Sequence, residues 1–153
     1  FVHYKKTNHM RNYISTFSKN LKTFADSHLM VDEISFVSSE RELDNMVFDR
    51  KTMVVMMLSA DLDNENGRPI YDVNYVIAII DKGADGMYGK SSTIEESLFI
   101  VSQLQDYLQQ LEWSTVFGTV DIQTDWDESG ELVAVLAEMT AQFGRGVSDE
   151  ISF

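Results

Sequence analysis

TMVVMMLSADLDNENGRPIYDVNYVIAIID, residues 52 to 81, is the stretch on which the fold turns. Residues 52 to 60 form an apolar run rich in β-branched residues and Met. The run is too short for a typical helix and reads as a buried strand. Residues 70 to 81 begin with alternation, placing Tyr71, Val73, Tyr75, Ile77 and Ile79 on one face. Between the two lies DLDNENGRP, dense in turn residues. It holds Asn66-Gly67, a dipeptide suited to tight hairpins. The pattern predicts two strands folded back on each other.

Two more strands follow downstream. TVFGTVDIQ and ELVAVLAEMTAQF are joined by the turn at Asp125 to Gly130. Upstream, HLMVDEISFVS reads as a short strand centred on Val31 to Phe36, and SERELDNMVFDRKT as a polar loop with room for one helical turn. Two helices complete the set. Residues 9 to 25 place Met10, Ile14, Phe17, Leu21 and Phe24 on one stripe. After the glycine-bearing loop KGADGMYGKSS, Thr93 opens the second helix, with Glu96 completing a capping box. Its stripe is Ile94, Leu98, Val101, Leu104, Leu108 and Leu111, and it ends near Trp113. The order α-β-β-β-α-β-β predicts an α+β fold: a mostly antiparallel sheet with two main helices packed on one face. The expectation is one domain over residues 1 to 153, with an extended basic segment at 1 to 8 and an exposed tail at 144 to 153.

Charge narrows the function. The chain carries 25 acids against 12 Lys and Arg, a formal net charge of −13. That opposes binding to a phosphate backbone. His3, Lys5, Lys6, His9, Arg11, Lys19 and Lys22 crowd the first 22 residues. A basic start on an acidic body suits pairing between copies, and equally suits a solvated helix face. No cysteine is present, which removes disulfides, zinc thiolates and thiol nucleophiles. No apolar run reaches the roughly 18 residues of a membrane span. The basic start has no apolar core behind it, so it does not read as a secretory signal.

DWDESGEL, residues 125 to 132, invites a calcium reading. Asp125, Asp127 and Ser129 occupy positions 1, 3 and 5, and Gly130 occupies position 6. Position 12 is Leu136 where a bidentate carboxylate is needed, and both flanks read as strands. A hairpin turn is the better reading. In DLDNENGRP, Asp61, Asp63 and Glu65 alternate, but Gly67 falls one position late. The three histidines have no paired ligand spacing. No serine sits in GxSxG. A phosphate loop ending in Gly89-Lys90-Ser91 would need glycine where Ala84 stands. The expectation is therefore no cofactor, no metal and no catalytic residue. Met53, Met56 and Met57 read as adaptable core. Trp126, in a polar turn, either anchors an interface or packs back on its own hairpin.

The layout resembles small tail-terminator or tail-completion proteins of long-tailed bacteriophages. The likeness covers most of the chain. An amphipathic helix leads to SHLMVDEISF, and a polar stretch leads to the strand MVVMMLSA. DVNYVIAIID runs through a polar loop into the helix TIEESLFIVSQLQDYLQQL, and an acidic turn precedes ELVAVLAEMTAQF. The resemblance implies a non-enzymatic virion protein, assembled in the host cytoplasm. Such a protein forms a ring, typically a hexamer, that caps the tail tube and meets the head connector. The sheet would border a channel with helices outside, and an acidic lining would let DNA pass without sticking. The interface expected for such a ring sets Lys5, Lys6 and Arg11 against Asp61, Asp63, Asp125 or Asp127 of a neighbour, with Trp126 beside them. The alternatives are another α+β interaction module (connector, immunity or chaperone-like) and a calcium-binding protein.

Overall fold

The computed structural model describes residues 12 to 83, 86 to 124 and 126 to 144. In chain order these form α1 (Tyr13–Ser27), β1 (Glu33–Val37), α2 (Glu40–Asp44), β2 (Thr52–Glu65), β3 (Arg68–Lys82), α3 (Gly86–Gln109), β4 (Ser114–Gln123) and β5 (Leu132–Phe143). The hairpin expected at 52 to 81 is present and is the spine of the sheet. β2 pairs antiparallel with β3, from Thr52 opposite Ile80 to Glu65 opposite Arg68. The acids of DLDNE, expected in the turn, lie in strand instead. The turn shrinks to Asn66 and Gly67, whose φ angles of 55° and 79° are the left-handed values a two-residue hairpin loop requires.

The sheet order is β1-β2-β3-β5-β4. β3–β5 and β5–β4 are antiparallel. β1 runs parallel to β2, with Glu33 opposite Thr52 and Val37 opposite Met56. A parallel neighbour requires a crossover, and the segment carrying α2 supplies it. Ser39 caps α2 by accepting from the Glu42 amide at 3.2 Å. The fold is α+β, as the periodicity predicts, with α2 added to the expected order.

Strand alternation sends side chains to two faces. One face carries Met53, Val55, Val73, Tyr75, Ile77, Ile79, Val135, Ala137 and Met139, packed under α1 and α3. Tyr13, Phe17, Leu21 and Phe24 project from α1 into this layer. An aromatic knot closes one end. The Tyr13 ring stacks on Phe143 at 5.8 Å and meets Tyr71 edge-on at 5.9 Å, while Trp113 meets Phe143 at 5.5 Å. The other face is covered only in part, by Leu43, Phe48, Met46 and Trp126 over Val54, Ala78, Ile80, Leu132 and Ala134.

α3 departs from expectation at its start. It begins at Gly86, seven residues before Thr93, so there is no capping box there. Thr93 Oγ1 donates back to the Gly89 carbonyl at 3.5 Å, and Glu96 reaches Lys51 instead. Gly86, Gly89 and the serines lower helix propensity locally, but tertiary anchoring overrides it. Lys90 Nζ ties the first turns to the Thr124 carbonyl at 3.3 Å. The buried stripe is also rotated. Ser97, Ile100, Val101, Leu104 and Leu108 face the sheet, while Leu98 is 37% exposed.

The expected basic segment 1 to 8 and residues 145 to 153 of the expected tail lie outside the described residues. Gly144, the first residue of that tail, is buried and not exposed. Its φ is 92°, and a Cβ there would stand 2.6 Å from the Pro69 carbonyl oxygen.

Candidate functional site

The sheet has two unlike ends. At one end lie the hairpin tip, the aromatic knot and the start of α1. At the other end the β4–β5 turn comes up against the segment after α2. Between them, on the partly covered face, lies an open groove of about 730 Å³. Its floor is Met46, Phe48, Trp126 and Leu132. Asp44, Asp49, Asp127, Glu128 and Glu131 line it against one base, Lys82. The volume falls within the range of ligand sites, and the lining is more polar than such sites usually are.

The turn is held rigidly by its own side chains. Asp127 Oδ2 accepts from the Ser129 hydroxyl at 2.6 Å, and Oδ1 accepts from the Leu132 amide at 3.3 Å. Ser129 Oγ accepts from the Glu131 amide at 3.1 Å. The Gly130 amide donates to the Asp127 carbonyl at 3.1 Å, and Gly130 takes a φ of 70°. The Ser129 hydroxyl, and then the backbone amides, hold the Asp127 carboxyl below the usual carboxylate range. The Asp127 oxygens that a calcium reading would use are thus engaged in the turn. No group of three or more His, Asp or Glu able to hold a metal occurs among the described residues.

The sequence-predicted interface residues scatter. Asp61 and Asp63 lie on β2 toward the hairpin tip, where Asp61 pairs with Asp72 and Asp63 with Ile70. Trp126 and Asp127 lie at the far end of the sheet. The two acidic sets therefore do not form one patch. Lys5, Lys6, Arg11 and Asp125 lie outside the described residues. Trp126 is half-buried and packs on the cluster of Val54, Ala78, Ile80, Leu132 and Ala134, and it also lines the groove.

Two features escaped the sequence. Met46 and Phe48 sit in a segment that reads as a polar loop; the short apolar run Met46-Val47-Phe48 is their one signal. The second is Lys51, buried to 7% exposure beside Asp81 and Glu96. Nothing in DRKT distinguishes it from Arg50, which is exposed.

A scan of protein-family models and a search of curated proteins each returned no match to this chain. No helix among the described residues is long and apolar enough to cross a membrane.

Proposed function

We propose that this chain is a non-enzymatic ring subunit of a phage-like tail, one that caps the tail tube and joins it to the head connector. The supporting observation is an acidic groove at the end of the sheet opposite the start of α1, the helix that the basic segment precedes in sequence. The acidic Trp126 groove lies at one end of the sheet. α1 begins at the other end, where Tyr13 meets Tyr71 and Phe143. The basic residues Lys5, Lys6 and Arg11 precede Tyr13 by a few positions. A basic segment joined at the end opposite the groove suits a head-to-tail contact, which closes into a ring when its rotation allows; Asp61 and Asp63 share that end. The resemblance in layout supplies the tail context. The α+β sheet under two helices is the architecture expected of it, and the acidic body fits a ring through which DNA slides.

Sedimentation of the purified chain, alone and with tail-tube protein, tests the reading. A closed oligomer, formed alone or on the tube, is the expected result. Charge reversal at Lys5 and Lys6 weakens assembly, and a compensating reversal on the acidic partner partly restores it, because complementary potentials set the register. A chain that stays monomeric and ignores tube protein excludes the ring and leaves a connector, immunity or chaperone-like module.

A further inference from the structure

We infer that the groove between the α2 segment and the β4–β5 turn is the acceptor for the basic first segment of a second copy of this chain. This deepens the ring reading and rests on it. Charge is the first ground. Five carboxylates line the groove against Lys82, and one of them, Asp49, has the Arg50 guanidinium at 3.8 Å, so the groove keeps a net negative potential. The residues Phe1 to Arg11, FVHYKKTNHMR, combine the opposite charge with rings at Phe1 and Tyr4. Rings suit the floor made by Trp126 and Phe48, and lysines suit the walls at Glu128 and Glu131, where side chains are exposed and long-range attraction operates.

Reach is the second ground, and it decides between copies. The first described helix starts at Tyr13, packed at the hairpin end and on the helical face. The groove lies at the opposite end, on the other face. From Tyr71 to Lys82 along β3 is eleven residues, roughly 37 Å at strand rise. From Tyr13 back to Lys5 is eight residues, at most about 29 Å fully extended. Even fully extended, the segment leaves the lysine backbone about 8 Å short of the groove of its own subunit, before any detour around the sheet edge from one face to the other. The lysines reach it on a neighbour whose groove end is set against their hairpin end, which is the head-to-tail arrangement.

The hairpin acids are the less suited acceptor. Asp61 and Asp63 lie at the end where α1 begins, so contact with them need not join two subunits. Asp63 also turns its Oδ1 to the Asn64 amide at 2.7 Å.

The test titrates a synthetic FVHYKKTNHMR peptide into the full-length chain and follows Trp126 emission, with Trp126→Phe as the blank that removes the signal and keeps an aromatic floor. Sedimentation of the same variants runs in parallel. The expected result is saturable binding that weakens at least tenfold in Glu128→Lys/Glu131→Lys, and at least tenfold for the peptide with both lysines replaced by Glu. The same pair of substitutions should dissociate the oligomer. Since both glutamates are exposed, the fold survives, which an unchanged melting temperature verifies. Peptide binding that ignores the groove substitutions overturns the inference. So does an oligomer that persists in the variant, although the ring reading then stands. A wild-type chain that binds peptide in the groove yet stays monomeric with tube protein overturns the second-copy assignment and the ring together.

Discussion

Lys51 and Glu96 join the first residue before β2 to the middle of α3: Nζ lies 2.5 Å from the carboxylate, with Asp81 of β3 at 3.5 Å. The lysine is almost fully buried, while Asp81 and Glu96 are 22% and 49% exposed. The partners keep contact with water, so removing the cation leaves them partly solvated. Lys51→Ala should cost about 1–3 kcal/mol, less than the loss of one member of a fully buried pair. Lys51→Met, which keeps the stem packing, should cost less than Lys51→Ala. Urea unfolding of the two variants measures the difference, and equal losses would mean that the charge alone matters.

Tyr75 sits under Phe17 at 5.3 Å between centroids, 2% exposed, and its hydroxyl finds no hydrogen-bond partner among the described residues. Burial pushes its pKa from 10.0 to about 12. The folded state thus holds the proton more tightly than the unfolded chain does. The stability this brings is whole below pH 10 and is lost as pH rises from 10 toward 12. Tyr75→Phe should be neutral or stabilising by about 1 kcal/mol at pH 7, because it removes an unsatisfied polar group. It should also flatten the alkaline limb of the stability profile. A marked loss at pH 7 would reveal a partner for the hydroxyl.

The rotated stripe of α3 separates neighbours. Leu104 is fully buried, and Leu104→Ala should cost about 2–5 kcal/mol. Leu98→Ala should cost under about 1 kcal/mol. Gln103, off the stripe, accepts a hydrogen bond from His28 Nε2, whose other ring nitrogen accepts from the Met30 amide at 3.0 Å. Gln103→Ala should therefore cost about 1 kcal/mol. Denaturation midpoints in that order check the stripe.

Gly144 and Gly118 make opposite demands. Gly144→Ala meets a left-handed φ and a backbone oxygen at 2.6 Å, and should cost about 1–3 kcal/mol. At Gly118 a Cβ would find its neighbours at 3.8 Å, ordinary contact. Gly118→Ala should be neutral or stabilising, since a strand glycine carries an entropic cost. Thermal melts of the two single variants suffice.

Millimolar calcium should leave the melting temperature unchanged, whereas binding at a hundredfold excess over Kd would add about 2.7 kcal/mol. The turn responds to acid instead. The Asp127 pKa is lowered on folding, so its stabilisation is present above the unfolded carboxylate value and fades as pH falls through the folded one. Asp127→Asn should narrow the difference in urea midpoint between pH 7 and pH 3. A calcium shift abolished by Asp125→Ala would restore the metal reading.

How much of this was legible follows from the range of the forces involved. Alternation in Tyr71 to Ile79 and the Asn66-Gly67 turn are local signals, and the hairpin was readable from them. The start of α3 was not, because Gly86, Gly89 and the serines argue for loop while Lys90 finds its anchor at Thr124, just past β4 and more than thirty residues on. The parallel setting of β1 depends on how the crossover returns, which composition does not encode. The groove is assembled from the segment from Leu43 to Asp49, from Lys82, and from Gln123 with the segment from Trp126 to Leu132, so no single piece carries its shape. The Trp126 turn was singled out for its oddity, and the wall opposite it went unseen.

The five-residue β1 covers only the first part of β2. Beyond Met56, among the described residues, the outer margin of β2 has no strand beside it, and Leu58 and Leu62 stand exposed along it. Such a margin is a template for indefinite stacking of like chains. Here it reads LSADLDNE, and two copies laid side by side would bring Asp61 and Asp63 against their own kind. The repulsion opposes edge-to-edge growth along this strand. Neutralising those two residues removes that guard from the border of the sheet.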